Sequence, residues 1–360
     1  MLDEQKSDIL YQTRQRSFDP VAEDKRDLGP LSLLPGLWMN NTDDPKSRTI
    51  GRGWNLIALP FREDGQFRDY RVLMNQYNEE LRFTFVDDMV PNRGVQRGEG
   101  DSVNTDQFVV TLDYQQTIRQ IAAVDSSGSP LAGGPQLPIH HEPGLFLHML
   151  NETIGGSTGK KVNVARLATV PHGNSATVIG TSDTYDGPPK NIDTATGFPE
   201  GAIPDGEDIN EAVAKATGDT DYLRPYNRFT VSPFLGIFSV KTPFDTLKAA
   251  LGAFDVKRTT ELRMDTETDM AGITNIPFIE RQADANLMRS TFYIMELNET
   301  DAAGKPKLAL AYTQFIFLDF FPQRSDPTKL IRWPHISINV MEKVAEPTCD
   351  DPYMTKEADY

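Results

Sequence analysis

Five histidines are the side chains of this sequence best suited to chemistry: His140, His141, His148, His172 and His335. A neutral imidazole is the commonest protein ligand of zinc and a frequent axial ligand of haem iron. The spacings His-x-His and His-x-x-x-His, which bring two imidazoles to one metal, are absent. The adjacent pair His140-His141 would point to opposite faces of a strand. We therefore expect no mononuclear zinc site and consider the histidines one by one.

His335 opens an uncharged alternating segment that ends at Met341. One face of His335–Met341 is wholly aliphatic, and the other carries His, Ser, Asn and Met. A mixed face without charge is typical of a cavity wall, which makes His335 a candidate ligand of a metal or cofactor. By residue type alone, a core histidine hydrogen-bonded to the backbone is the commoner explanation.

His172 lies in the segment Thr169-Val-Pro-His-Gly-Asn-Ser175, which is typical of a tight turn between two strands. Such a turn at the mouth of a barrel could hold the imidazole over a ligand as a catalytic acid or base. A surface histidine in a turn is the simpler alternative.

Several common catalytic motifs are missing. The sequence has no G-x-S-x-G elbow, no Walker loop and no Cys-x-x-Cys pair. Gly51-Arg-Gly53 lacks the third glycine of a dinucleotide fingerprint. The only cysteine, Cys349, has no basic neighbour that would activate it. The sequence thus gives no motif for a hydrolase or a nucleotide-binding enzyme.

Composition excludes some partners. The chain has 360 residues and a net charge of −16, which argues against nucleic acid and against anionic membrane surfaces. No segment approaches the roughly 20 apolar residues of a membrane-spanning helix. Residues 1–25 are charged throughout and do not form a signal peptide. We expect a cytoplasmic protein whose partners include neither nucleic acid nor membrane.

About a dozen short segments rich in Val, Ile, Phe and Thr alternate with Gly, Pro, Asn and Asp. This predicts a mainly β protein: a closed antiparallel barrel of about 10–12 strands with a few short helices in insertions. Its interior is expected to be apolar but not purely so, because His335 begins a mixed face. The helices are expected at Asp208–Thr217 and Phe244–Phe254. Four of the strand predictions are Tyr70–Tyr77, Leu81–Val86, Phe108–Asp113 and Thr117–Val124.

The predicted organisation is a single domain with extensions. Residues 1–28 form a polar N-terminal extension, 29–344 the barrel, and 345–360 an acidic tail. An excursion of loops and helices is expected at about 181–285. The last two strand segments, Leu308–Leu318 and His335–Met341, have no charged face, so we expect insertions to pack over their outer side.

Four segments, taken in order, resemble a known family. Leu34-Pro-Gly-Leu-Trp38 with Gly51–Pro60 resembles the opening G-x-W-x-G-x-G strand of nitrobindin-like, fatty-acid-binding-protein-like haem barrels of the calycin superfamily. Ile139–Phe146 resembles the family's H-x-E-x-G-aromatic strand, and Val164–Gly180 its following hairpin. His335–Lys343 resembles the strand that begins with the proximal haem histidine. The chain departs from the pattern in its double length and in the interruption at residues 39–50.

The resemblance implies a calycin-type barrel that binds haem b with His335 as the axial iron ligand. Trp38 of the opening motif would belong to the cofactor site, and Arg166, Arg48 and Arg52 would be candidate partners of the propionates. A distal His172 would imply acid–base chemistry on peroxide, with peroxidase-like or isomerase activity. An apolar distal side would imply binding of NO or O2.

Two haem-free functions remain open at this stage. Calycin barrels also carry fatty acids and other hydrophobic small molecules. The cavity could equally serve a biosynthetic enzyme that uses His172, Tyr312 or Gln314 as polar groups, because a fold does not determine a function.

Overall fold

The structure is a computed structural model that describes residues 28–40, 46–62, 69–97, 102–104, 107–126, 132–150, 162–268 and 270–346. The predicted fold class is confirmed: the described chain is mainly β and forms a closed antiparallel barrel of ten strands, with four short helices. The predicted extension 1–28, except Leu28, and the tail 345–360, except its first two residues, lie outside the described residues.

The strands in chain order are β1 Gly36–Met39, β2 Gly53–Pro60, β3 Tyr70–Asn92, β4 Val95–Arg97, β5 Ser102–Asn104, β6 Gln107–Asp125, β7 Pro138–Met149, β8 Val164–Val170, β9 Asn174–Asp186, β10 Val256–Asp265, β11 Gly272–Asn275, β12 Asp284–Thr300, β13 Pro306–Pro322 and β14 Leu330–Ala345. The helices are α1 Ile209–Lys215, α2 Arg224–Val231, α3 Pro243–Leu251 and α4 Pro277–Ala283. The barrel runs β2-β3-β6-β7-β8-β9-β10-β12-β13-β14 and closes where β14 pairs with β2.

Two strands, β1 and β2, occupy the same position in the barrel wall. Both β1 and β2 lie between β14 and β3, so they form one interrupted strand, as the break predicted at residues 39–50 suggests. Asn40 stabilises the break, because its amide nitrogen donates to the carbonyl oxygens of Thr49 and Val340 while its Oδ1 accepts from the backbone N–H of Glu79.

The two ends of the barrel differ. We call the end where β7 and β14 begin the mouth, and the end where β1 begins the plugged end. Residues 28–34 pack into the plugged end, where Leu31 and Leu34 are fully buried beside Trp38. At the mouth, α4 lies against β11, β12, β13 and β2 and buries none of its side chains fully.

A second core covers the outside of the barrel. The insertion between β9 and β10 packs its helices on the outer faces of β2, β3, β12, β13 and β14. Phe234 and Phe238 contact Trp54, with ring centroids 6.0 and 5.5 Å away. The uncharged outer faces of β13 and β14 are therefore buried under this insertion, as the sequence predicted.

The insertion is shorter than the predicted excursion at 181–285. Strand β9 continues to Asp186, and β10 returns the chain to the barrel wall between β9 and β12. The helical part thus spans 187–255, and a shorter connection follows between β10 and β12. The predicted helices at 208–217 and 244–254 correspond to α1 and α3, and Asp208 caps α1 by accepting from two backbone N–H groups.

No helix in the described part of the chain is long and apolar enough to cross a membrane.

Candidate functional site

The mouth half of the barrel interior is polar, so the polar part extends beyond the mixed face of His335 that the sequence predicts. The inner faces of the strands are apolar toward the plugged end, but carboxylates, imidazoles, amides and a guanidinium fill the other half. Burying such groups is costly unless they are hydrogen-bonded to one another, and here they form connected networks. Their members include Asn55, Tyr77, Glu79, Tyr114, Gln116, His140, Glu142, Arg166, Ser290, Tyr312, Gln314, His335, Ser337 and Asn339.

Arg166 and Glu142 form an ion pair in the centre of this half. An Nη2 donor of Arg166 lies 2.5 Å from Oε1 of Glu142, and both side chains are almost completely buried. Arg166 also donates to the hydroxyls of Tyr114 and Ser290 and, at 2.9 Å, to Oε1 of Gln314. Burial alone would raise the pKa of Glu142, but Arg166 and the hydrogen bonds overcome it and lower the pKa to about 2. Glu142 is therefore a fixed buried anion.

His140 lies two residues before Glu142 on β7, and the two side chains share the inner face. Nε2 of His140 is 3.1 Å from Oε2 of Glu142. The neighbouring His141 is exposed, with its Nδ1 3.5 Å from the hydroxyl of Thr117. The two adjacent imidazoles thus point to opposite sides of the wall, as expected from the period of a strand.

His335 lies on the inner face of β14 near the mouth. The side-chain amide of Asn55 on β2 lies 2.6 Å from Nε2 of His335 and also donates to the hydroxyl of Ser337. Burial, together with the smaller effects of the charges of His140 and His172, lowers the pKa of His335 to about 3. His335 is thus a neutral imidazole at neutral pH.

His172 lies at the mouth, in the turn that joins β8 to β9. Its ring centroid is 6.3 Å from that of His140. Partial burial and the charge of His140 lower the pKa of His172. The structure therefore brings His172, His140 and His335 to the same end of the barrel, within electrostatic reach of one another.

A second buried carboxyl group, Glu79, lies on the inner face of β3. It accepts hydrogen bonds from the hydroxyl of Tyr312 at 2.6 Å and from the amides of Gln116 and Asn339. Burial raises the pKa of Glu79. Sequence reasoning missed both Glu79 and the role of Glu142. The alternation of Tyr77, Glu79 and Leu81 on one strand face was the signal that could have revealed the first.

Three other predicted site residues do not reach the mouth. Trp38 is buried at the plugged end and donates from Nε1 to the carbonyl oxygen of Leu34 at 2.7 Å. It pairs with Lys343, eight residues along β14 from His335, a distance of about 26 Å in a strand. Arg48 is paired with Glu299 at 2.6 Å, and Arg52 donates to the carbonyl oxygen of Arg48.

No group of three or more His, Cys, Asp or Glu side chains in the described ranges is arranged to hold a metal ion. A single axial imidazole does not depend on such a group. Comparison with protein-family models, curated proteins and solved structures gives no significant match. The closed ten-strand antiparallel barrel is compatible with a calycin-like fold.

Proposed function

We propose that the mouth of this barrel binds haem b through His335 and exposes it to a small ligand such as NO, O2 or peroxide. The observation that carries the proposal is a neutral imidazole on the inner wall, close to two further imidazoles. An axial ligand must offer an unprotonated nitrogen, and the lowered pKa of His335 provides one throughout the physiological range.

The surroundings of His335 fit this role in part. Ile316 is its direct neighbour on β13, and Ile57 lies on the adjoining stretch of β2; both are partly exposed aliphatic side chains suited to an apolar ring. Nε2 of His335, however, accepts from the Asn55 amide. Ligation through Nε2 therefore requires that Asn55 gives up this hydrogen bond.

Arg166 does not fit the predicted role of propionate partner. Its guanidinium is already bonded to four side chains, and withdrawing it would leave Glu142 as an unpaired buried charge. Arg71 lies near the mouth end of β3, and its buried Nε has no hydrogen-bond partner in the described structure. It is also paired, at 3.3 Å, with the fully buried Asp125, so binding a propionate would require it to give up that pair.

Bound haem would supply an iron atom that coordinates a diatomic gas or a peroxide. The protein's own contribution would be to hold the iron with His335 and to confine the ligand beside His140 and His172. The position of His172 at the mouth supports its proposed part as an acid–base residue of peroxidase-like or isomerase chemistry.

Haem titration of the purified protein tests the proposal. We expect a Soret band with one haem per chain, lost in His335→Ala and retained in His141→Ala, whose imidazole faces outward. A protein that remains colourless at saturating haem would overturn it. A Soret band that survives unchanged in His335→Ala would assign the haem to another ligand.

A second candidate is a haem-free carrier or biosynthetic enzyme that holds a hydrophobic small molecule at the mouth. The hydrogen bond between Asn55 and His335 favours it, because it gives the imidazole a role that needs no metal. This candidate predicts an organic ligand extractable from the purified protein, and equal retention of that ligand by His335→Ala.

A further inference from the structure

The pair formed by His140 and Glu142 is built like an acid–base unit. A carboxylate bonded to one ring nitrogen fixes the tautomer of a histidine and leaves the other nitrogen available. Here Nε2 faces Oε2 of Glu142, so Nε2 carries the proton that is donated. Nδ1 of His140 is then the nitrogen with a free lone pair.

Glu142 is well placed to hold this orientation. Its other oxygen, Oε1, accepts from both Arg166 and the hydroxyl of Tyr114. These bonds keep Glu142 ionised and prevent it from turning away from His140. A carboxylate fixed in this way holds the His140 ring in one orientation.

His140 also faces the space beside His335. Around the barrel, β7 and β14 are separated by three strands on one side and five on the other, so they stand on opposing walls. The His140 side chain is 20% exposed, which leaves it accessible to a small solute. A molecule held at His335 would therefore have His140 across from it.

We propose that His140 is the proton-transfer residue of the mouth and that Glu142 is its positioning residue. This inference rests on the proposed function, because the molecule concerned is the one bound at the His335 haem. The ligand class is a small weak acid, such as hydrogen cyanide or hydrogen peroxide. Its C–H or O–H bond would break as an N–H bond forms at Nδ1 of His140; the anion would stay bound, and the proton would then pass from His140 to solvent water, to which the side chain is partly exposed.

His172 is less suited to the same task. It is exposed in a turn, and no carboxylate of the described structure is bonded to its ring. It lies nearer to the opening, where it can influence entry, and its effect on proton transfer should be smaller than that of His140.

The first test is the tautomer of His140, measured by nitrogen NMR of the imidazoles in the haem-free protein. We expect the Nε2–H form in the wild type and a mixture of tautomers in Glu142→Gln. His141→Gln serves as the matched control and should leave the His140 signals in place. A His140 found mainly as the Nδ1–H form would overturn the inference even if haem binds.

The second test is the rate at which cyanide binds the ferric haem-loaded protein, because hydrogen cyanide must lose its proton to bind as the anion. General acid–base assistance accelerates such steps by about 100-fold or more. We therefore expect His140→Gln to slow cyanide association by about 100-fold and His141→Gln to leave it unchanged. If His140→Gln keeps its Soret band and binds cyanide at the wild-type rate, this inference is wrong and the proposed function stands. If the wild type shows no Soret band, the proposed function and this inference are both wrong.

Discussion

The side-chain amide of Asn55 lies 2.6 Å from Nε2 of His335, across the seam where the last strand closes the barrel on the interrupted first strand. This contact fixes the imidazole at the mouth with its acceptor nitrogen facing a neutral donor. A protonated imidazole could not accept that bond, so the contact and the lowered pKa of His335 describe the same neutral state.

Asn55→Ala should tighten haem binding. In the wild type, ligation must break the hydrogen bond between Asn55 and His335, and such bonds contribute about 0.5–1.5 kcal/mol net. Removing the amide avoids this cost, which predicts a Kd lower by about twofold to twelvefold in a spectroscopic titration. In the His335→Ala background, where we expect no haem binding, the same substitution should not restore the Soret band. Weaker binding in Asn55→Ala would mean that the amide supports the ligand nitrogen in place of competing for it.

The neutral state of His335 predicts a loss of stability in mild acid. Its pKa is about 3 in the folded protein against 6.5 for the free side chain, so the unfolded chain binds the extra proton between these values. The contribution of neutral His335 to the free energy of unfolding is therefore fully present above pH 6.5. It falls as the pH drops toward 3, by up to about 1.4 kcal/mol per pH unit. Urea unfolding at several pH values measures this slope.

His335→Gln should flatten the same profile, because it removes the titrating group and keeps a polar side chain near Asn55. His141→Gln is the control, since His141 is exposed on the opposite side of the wall. Identical slopes in wild type and His335→Gln would show that other groups dominate acid unfolding.

The buried ion pair predicts an asymmetric response to truncation. Arg166→Met leaves Glu142 buried without its counter-charge and should lower the free energy of unfolding by about 3–5 kcal/mol. The double variant Arg166→Met with Glu142→Gln should recover part of this loss. Arg258→Met, which breaks an exposed pair with Glu296, should cost less than about 1 kcal/mol. Equal losses at the two arginines in chemical denaturation would contradict the burial argument.

Much of the barrel follows from patterns in the sequence. The alternation at His335–Met341 predicted one buried aliphatic face, and the structure buries it beneath the helical insertion. Turn residues and spacing located α1 and α3. Helices α2 and α4 were not predicted, because Arg224–Val231 and Pro277–Ala283 are short and carry few apolar residues at helical spacing.

The polar interior explains the main errors in the predicted strand boundaries. The sequence predicts two strands, Tyr70–Tyr77 and Leu81–Val86, because polar residues lie between them, but in the structure both belong to one strand, β3. Of these polar residues, Asn78 accepts a hydrogen bond from the backbone N–H of Gly51. Glu79 is buried inside the barrel, and Glu80 is exposed. The same holds for β6, which joins Phe108–Asp113 to Thr117–Val124. In a sequence, a charged residue inside an apolar segment indicates a loop. Glu79 can lie inside a strand because Gln116, Tyr312 and Asn339 donate hydrogen bonds to it, and these partners are distant in the sequence.

Glu79 predicts a stability profile of the opposite sign to that of His335. Burial raises its pKa above 4.5, so above pH 4.5 the unfolded chain loses this proton before the folded protein does. Its contribution to stability is therefore present below pH 4.5 and is lost as the pH rises through the folded pKa. Glu79→Gln does not titrate, and Gln116 can turn its amide to accept from the new NH2 group.

We expect Glu79→Gln to gain stability over the wild type as the pH rises from 4.5 to 8, measured by urea unfolding. Glu80→Gln, one residue away and exposed, should follow the wild type at every pH; a constant difference between wild type and Glu79→Gln would show that Glu79 keeps an ordinary pKa.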